Sequence, residues 1–318
     1  MFTLFLLIST LPPELDSLLI KAINHSYVED FAVAESLITV VKKEEPEHPA
    51  PYFLLGSLYE LMWIDLGEMT YKEKIFIYAD SASDKGKKWV GEHPDDPWGY
   101  FFIGGSYTLK IFYYTIREDY LGAFFLINPG IYFLEKAKEL DPSIADIYLG
   151  LGSWEYAKGH FPFMGKDKEK GLRMIKRAIV EGKYVSLYSV IAYANICIKE
   201  ENYDEAIAVL KPLITCFPYS RTFNWPFLKA YYGKKDYKEA LKIADKLILI
   251  SPTNYYSKFE ANYYKAKILL DLDKLDEALI SVENALALEI DEDMLHVKDI
   301  KEDLLRIKRE IVKKSDAP

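Results

Sequence analysis

The apolar positions along the chain fall into blocks that recur. YFLLGSLY, at Tyr52 to Tyr59, returns as YFFIGGSY at Tyr100 to Tyr107 and more loosely as YLGLGSWE at Tyr148 to Glu155, 48 residues on each time. Three turn prolines, Pro46, Pro94 and Pro142, keep the same interval, and each stands six residues before the tyrosine that opens a block. Twelve residues before each proline is a small residue: Ala34, Ala82 and Gly130. Carried forward, the rule finds Gly171, Ala206, Ala240 and Ala278, with Pro218 and Pro252 following and Lys183 and Ile290 in the proline's place in the other two copies. A regular interval of this length is the mark of a repeat architecture. The repeating unit predicted is a pair of helices: Gly or Ala lets the two axes approach, the flanking Tyr, Leu and Ile fill the seam, and proline stops the second helix.

The pattern resembles the tetratricopeptide repeat, which writes an aromatic, then Leu-Gly three and four residues later, Tyr three beyond, then Ala, a large apolar residue, Ala and Pro on a 34-residue period. Tyr52, Leu55, Gly56, Tyr59 and Tyr100, Ile103, Gly104, Tyr107 match its first helix; Ala206, Leu210, Leu213, Pro218 and Ala278, Val282, Ala285 match its second. The resemblance implies an all-α, right-handed superhelical solenoid of about seven hairpins at 15–48, 49–96, 97–144, 145–185, 187–220, 221–254 and 259–292. An apolar segment 1–14 precedes it, and a capping helix and short tail, 293–318, close it.

The 48-residue interval is the family's 34 plus 14, about four helical turns, so the same stripe returns to the same neighbour. The second and third hairpins are therefore expected to protrude. Thr70 with Glu73 and Thr115 with Glu118 read as capping boxes opening their second helices, and Pro129 is expected to kink the third hairpin's second helix or divide it. In the fourth, GHFPFMGKDKEKG reads as a loop.

Composition changes this picture little. Half of the 318 residues are apolar, enough for a substantial core. The net charge of −9 is concentrated at one end, with 11 acids against 3 bases in the first seventy residues, and the C-terminal bases interleave with acids at helical spacing. A nucleic-acid partner is not expected. No stretch is apolar for long enough to span a membrane. MFTLFLLIST fits two readings: a signal sequence, which would place the protein outside the cytoplasm or in the cell envelope, or an apolar cap on the first repeat of a cytoplasmic protein.

No catalytic constellation, phosphate loop or metal-ligand spacing is present, so no enzyme activity, cofactor or metal is expected. His48 and His93 precede prolines and read as solvated helix ends. Cys197 and Cys216 fall near opposite ends of the fifth hairpin, too far apart for a bridge.

What remains is the face of the first helices, which in the family lines a binding groove. The fifth place of each from the second hairpin on holds Phe53, Phe101, Leu149, Ile191, Trp225 and Tyr263, all apolar. Four places later stand Ser57, Gly105, Ser153, Asn195, Lys229 and Lys267. With Trp98 and Tyr188, these form a candidate groove for a helix or extended segment of a partner protein, the small residues leaving room for its backbone and Asn195, Lys229 and Lys267 pairing with its carbonyls or carboxylates. Family members that clasp a terminal carboxylate carry Lys and Asn at both places, a pattern this chain departs from at every fifth place. The alternatives are a groove filled by the protein itself and, after it, a carrier of an apolar small molecule; a homo-oligomer is compatible with all three.

Overall fold

The structure, a computed structural model, describes residues 11–159 and 167–315; the apolar segment Met1–Thr10 and most of the GHFPFMGK stretch lie outside them. Among the described residues there are fifteen α-helices and no strand. They follow one another as pairs: α1 Pro13–Ser26 and α2 Phe31–Glu44, α3 Ala50–Leu66 and α4 Tyr71–Glu92, α5 Pro97–Ile116 and α6 Tyr120–Leu140, α7 Ile147–Lys158 and α8 Lys168–Glu181. Then come α9 Ser186–Lys199 and α10 Tyr203–Cys216, α11 Arg221–Gly233 and α12 Tyr237–Leu249, α13 Tyr255–Asp271 and α14 Leu275–Leu286, and finally α15 Val297–Ser315. The chain is an all-α helical solenoid.

All seven small residues of the repeat are buried: Ala34, Ala82, Ala206, Ala240 and Ala278 at 0% exposure, and Gly130 and Gly171 with them. Each lies in an inward stripe at helical spacing, such as Ala34, Ile38, Val41 in α2 or Gly171, Ile175, Ala178 in α8. Gly171 shows why a larger residue is excluded. A methyl added there would sit 2.5 Å from the Tyr156 backbone nitrogen and 2.6 Å from the Gly152 oxygen, both main-chain atoms. Some first helices are instead buried more broadly, as in α5, where Phe101 through Ser106 is covered without a break.

Turn geometry explains the other periodicities. The six-residue interval from proline to tyrosine is a hydrogen bond: Tyr52 Oη donates to the Pro46 carbonyl and Tyr148 Oη to that of Pro142, each at 2.8 Å. Asn224 Nδ2 reaches Pro218 O at 3.1 Å and Lys258 Nζ reaches Pro252 O at 3.4 Å at the same interval in later copies. Inside the hairpins, the turn places one non-glycine residue in the left-handed region, at Glu29, Glu118, Glu201, Lys235 and Asp273, with φ between 57° and 62°. The next residue opens the second helix. Asp119 and Asp236 do so by accepting from the backbone NH of Gly122 and Glu239.

The structure corrects the sequence reading at two of these places and narrows it at a third. Asp119, not Thr115, caps α6; Thr115 lies within α5 and donates to the Ile111 carbonyl at 2.7 Å. Pro129 does not divide α6, which runs through it. His48 is buried rather than solvated, its Nδ1 accepting from Ala50 N at 3.2 Å and its ring edge-on to Trp89 and Phe102. His93 is exposed and stacks on Trp89. Cys197 is buried and Cys216 exposed.

The extra residues of the second and third hairpins are shared between both helices: 17 and 22 residues in α3 and α4, 20 and 21 in α5 and α6, against 14 and 14 in α1 and α2. The last described helix, α15, buries one stripe of Val297, Ile300, Leu304, Ile307 and Ile311 and turns its charges outward. No described helix is long and apolar enough to cross a membrane.

Two compact units emerge from the packing. Unit 1 comprises the residues up to Ser26, Asp30–Glu60 and Tyr71–Tyr193; unit 2 comprises Tyr27–Glu29, Leu61–Thr70 and the residues from Ala194 on. Gly171→Ala, inside unit 1, is predicted to lower stability by about 2–3 kcal/mol, read as a shift in the urea unfolding midpoint, because backbone on both sides must move. An unchanged midpoint would contradict the close approach.

Candidate functional site

In unit 1 the first-helix positions meet one another. Phe53 lies edge-on to Phe101 with ring centroids 5.6 Å apart, Trp98 is edge-on to Phe101 at 5.4 Å, and Tyr184, just before α9, closes on Trp98 at 5.3 Å. Phe53, Trp98, Phe101 and Leu149 are between 2% and 8% exposed. The space that Gly105 leaves is taken by Phe53, whose ring would lie 2.8 Å from a methyl at that glycine. Ser57, Ser153 and Ile191 are half-buried.

Tyr188 and Glu60 make the most unusual contact of unit 1. Glu60, on α3, has no exposed surface; its Oε1 accepts from Tyr188 Oη at 2.6 Å, while Oε2 meets no donor among the described residues. Burial pushes the Glu60 carboxyl up to about 8, against the smaller opposing effect of the Tyr188 bond, so the group is neutral at physiological pH. Sequence reading passed over Glu60 because an acid inside an apolar helix gives no local sign of whether it is buried.

In unit 2 the first-helix face is different in kind. Trp225 and Lys229 on α11, and Tyr263, Tyr264 and Lys267 on α13, form an aromatic floor carrying two lysines, while Asn195, on α9, is exposed. Trp225 and Tyr264 lie 6.0 Å apart, Tyr264 and Tyr263 5.5 Å, and Tyr232 stands edge-on to Tyr264 at 5.9 Å. Lys229 Nζ is 5.9 Å from the centre of the Trp225 ring. Lys267 Nζ is 5.0–5.6 Å from the centres of Tyr263, Tyr232 and Tyr264, a threefold cation–π arrangement. Tyr263 Oη donates to Asp303 at 2.8 Å. Burial lowers the Lys267 pKa, although Asp303 and Asp271 oppose it.

A pocket of about 300 Å³ opens beside Lys267, between α11, α13 and α15. Tyr232, Lys267, Leu270, Asp271, Asp303, Arg306, Ile307 and Glu310 line it. Of the residues singled out from sequence, Lys267 lines this pocket and Tyr263 braces it through Asp303; the α15 side chains were missed, because α15 belongs to no repeat.

No protein-family model and no curated protein sequence matches the chain. Solved structures do. They include the APC/C hetero-tetramer Cut9–Hcn1, at 14% identity and a TM-score of 0.61, covering 95% of this chain and 51% of that one. The chain thus spans about half the length of the Cut9–Hcn1 chain it matches. The chain has the tetratricopeptide-repeat fold. A monomeric IFIT1 mutant with m7Gppp-AAAA is similar to this repeat chain at 15% identity and a TM-score of 0.50, covering 93% of it and 64% of the IFIT1 chain. A tetratricopeptide repeat protein from Parabacteroides merdae is 15% identical with a TM-score of 0.44, covering 94% and 100%.

Glu60 and His48 give this repeat chain a testable pH dependence. The Glu60 pKa is raised from 4.5 to about 8 on folding, so its contribution is full below pH 4.5 and is lost as pH rises through 8. Burial lowers the His48 pKa from 6.5 to about 4, so its contribution is full above pH 6.5 and is lost as pH falls through 4. The two slopes oppose one another between pH 4.5 and 6.5. Burial also raises the pKa values of Glu29, Asp146 and Glu260, so Glu60 shares the alkaline loss with them. Glu60→Gln is predicted to remove one proton's share of that loss, at most about 1.4 kcal/mol per pH unit, in urea titrations at pH 6.5 and 8. An alkaline slope unchanged in the variant would contradict the assignment.

Proposed function

We propose that the chain is a non-catalytic repeat scaffold that holds a helix or extended segment of another protein, and that the holding surface is the first-helix face of unit 2. The observation that carries this reading is the pocket of about 300 Å³ beside Lys267, next to an aromatic floor. Trp225 and Tyr264, both half-buried, offer flat, rigid area to an apolar side chain of the segment at low entropic cost, while Tyr263 is buried. Lys229 and Lys267 offer charge-assisted bonds to its carbonyls or a carboxylate. Phe53, Trp98, Phe101, Gly105 and Leu149 serve this reading as the packing of unit 1, where Ser57, Ser153, Tyr188 and Ile191 are half-buried; Asn195, on α9 in unit 2, is exposed.

A protein segment fits better than the alternatives. Five of the eight residues lining the pocket are charged, which suits peptide groups rather than an acyl chain. Three of those five, Asp271, Asp303 and Glu310, are acids, which repel a phosphate backbone. The IFIT1 structure holds m7Gppp-AAAA on a related fold, but that ligand is a property of IFIT1.

The test is capture from the native organism by the tagged full chain, with the bound protein identified by mass spectrometry and its segment resynthesised as a peptide. Lys267→Glu together with Arg306→Glu is expected to weaken peptide binding at least about tenfold, the loss of one or two charge-assisted bonds. Far-ultraviolet circular dichroism should stay unchanged, since Lys267 is half-buried and Arg306 exposed. Binding that survives this pair but is lost on Phe101→Asp in a folded variant would move the surface to unit 1 and overturn the proposal.

A further inference from the structure

The longest apolar run in the sequence, YLGAFFLINPGIYFL, forms most of α6; Ala123, Gly130 and Leu134 are buried, and another face of the run is exposed. Tyr120, Leu121, Phe124, Phe125 and Tyr132 are 56–69% exposed. Helix lengths give the reason. α6 has 21 residues and α7, the helix that follows and packs on it, only 12, so at 1.5 Å per residue the first half of α6 runs on past the end of α7. Four rings of about 200 Å² each, exposed to this extent together with Leu121, present roughly 600 Å², the upper end of what monomers leave uncovered.

The exposed residues are also ordered. Leu121, Phe125, Asn128 and Tyr132 follow at intervals of four, three and four, the 3.5-residue period with which one helix lays a seam against another, and all four are exposed. Tyr120 and Phe124 flank the seam. The run from Tyr120 to Leu134 contains no charged residue.

We propose that this seam is a homodimer interface, in which α6 packs antiparallel against α6 of a second copy across a twofold axis. The seam is its own complement. Read in reverse on the second copy, Leu121 falls opposite Tyr132 and Phe125 opposite Asn128, which sets the two Asn128 side chains on either side of the axis and within reach of each other. An amide both donates and accepts, so two copies of Asn128 satisfy one another, whereas a foreign apolar helix would bury Asn128 without a partner. The exposed area approaches the roughly 800 Å² per partner of a standard interface, and such self-matching is the rule for twofold contacts. A lipid surface suits the patch less well. Exposed Glu118 and Asp119 border it, and the chain's net charge of −9 opposes an anionic membrane.

Sedimentation equilibrium of the full chain up to about 100 µM, where a standard interface is populated, is expected to give twice the 36.8 kDa chain mass. Leu121→Glu with Phe125→Glu should raise the dimer dissociation constant at least about 100-fold, the cost of four charges in an apolar seam, with the circular dichroism unchanged because both side chains are exposed. In a Cys216→Ser background, which removes the exposed native thiol, Asn128→Cys should cross-link two chains on oxidation, and adding Phe125→Glu should abolish the cross-link. A monomer at the highest concentration, or a dimer indifferent to the two glutamates, would overturn the proposal. So would a dimer in which Asn128→Cys fails to cross-link, or a monomer that sediments with phosphatidylcholine vesicles.

Discussion

Two helices can bring their backbones close together only where the side chains at the crossing are no larger than a methyl group. That constraint organises this protein. Ala34, Ala82, Gly130, Gly171, Ala206, Ala240 and Ala278 occupy one place of seven successive hairpins, and every one is buried. The aromatics around them fill the seam that the small residues open. At such a crossing the main chain of one helix becomes the wall of the other, as Gly171 against Tyr156 and Gly152 makes plain. A stack built this way needs little from distant parts of the chain, and most of its architecture is therefore written locally.

The local part was legible. Small residues at a fixed register, a proline twelve later and a tyrosine six beyond that mark out the hairpins, and the structure supplies the bond behind the last interval, from tyrosine hydroxyl to proline carbonyl. One local signal went unread: Glu29-Asp30-Phe31, Glu118-Asp119-Tyr120, Glu201-Asn202-Tyr203 and Lys235-Asp236-Tyr237 form a recurring triplet whose first residue takes the left-handed turn and whose second starts the next helix. Reading Thr115 as a cap missed it. Environments set by residues far off in sequence were beyond reach. His48 follows Glu47 and precedes Pro49 like any exposed turn residue, yet Trp89 and Phe102 enclose it.

Unit 2 contains the clearest case of such remote chemistry. Arg221 donates to both oxygens of Asp65, at 2.7 and 2.6 Å, and Asn254 Nδ2 reaches the same carboxylate at 3.1 Å. Glu29 Oε1 accepts from Thr222 N and Thr222 Oγ1 at 2.9 and 2.8 Å. Repeat proteins ordinarily bond neighbour to neighbour, so these links between early and late residues, within one unit, tie together helices that the repeat alone leaves independent. A planar guanidinium held on two oxygens fixes orientation as well as distance. The candidate site benefits from that order, because a pocket presented to a partner segment must keep its shape in order to select one. The first-helix positions themselves were legible from the repeat; which of them pack together and which stand beside open space was not, because that depends on Tyr184 and α15, which lie outside the pattern.

The fold rests on close approach at the small-residue register. The most direct measurement is a Leu scan of Ala34, Ala82, Ala206, Ala240 and Ala278 in urea, each paired with the same substitution at an exposed position of the same helix. Each buried substitution should cost about 1–3 kcal/mol or more while its exposed partner stays within about 0.5 kcal/mol. Equal effects at the paired positions would contradict the nesting of helices on which the fold is built.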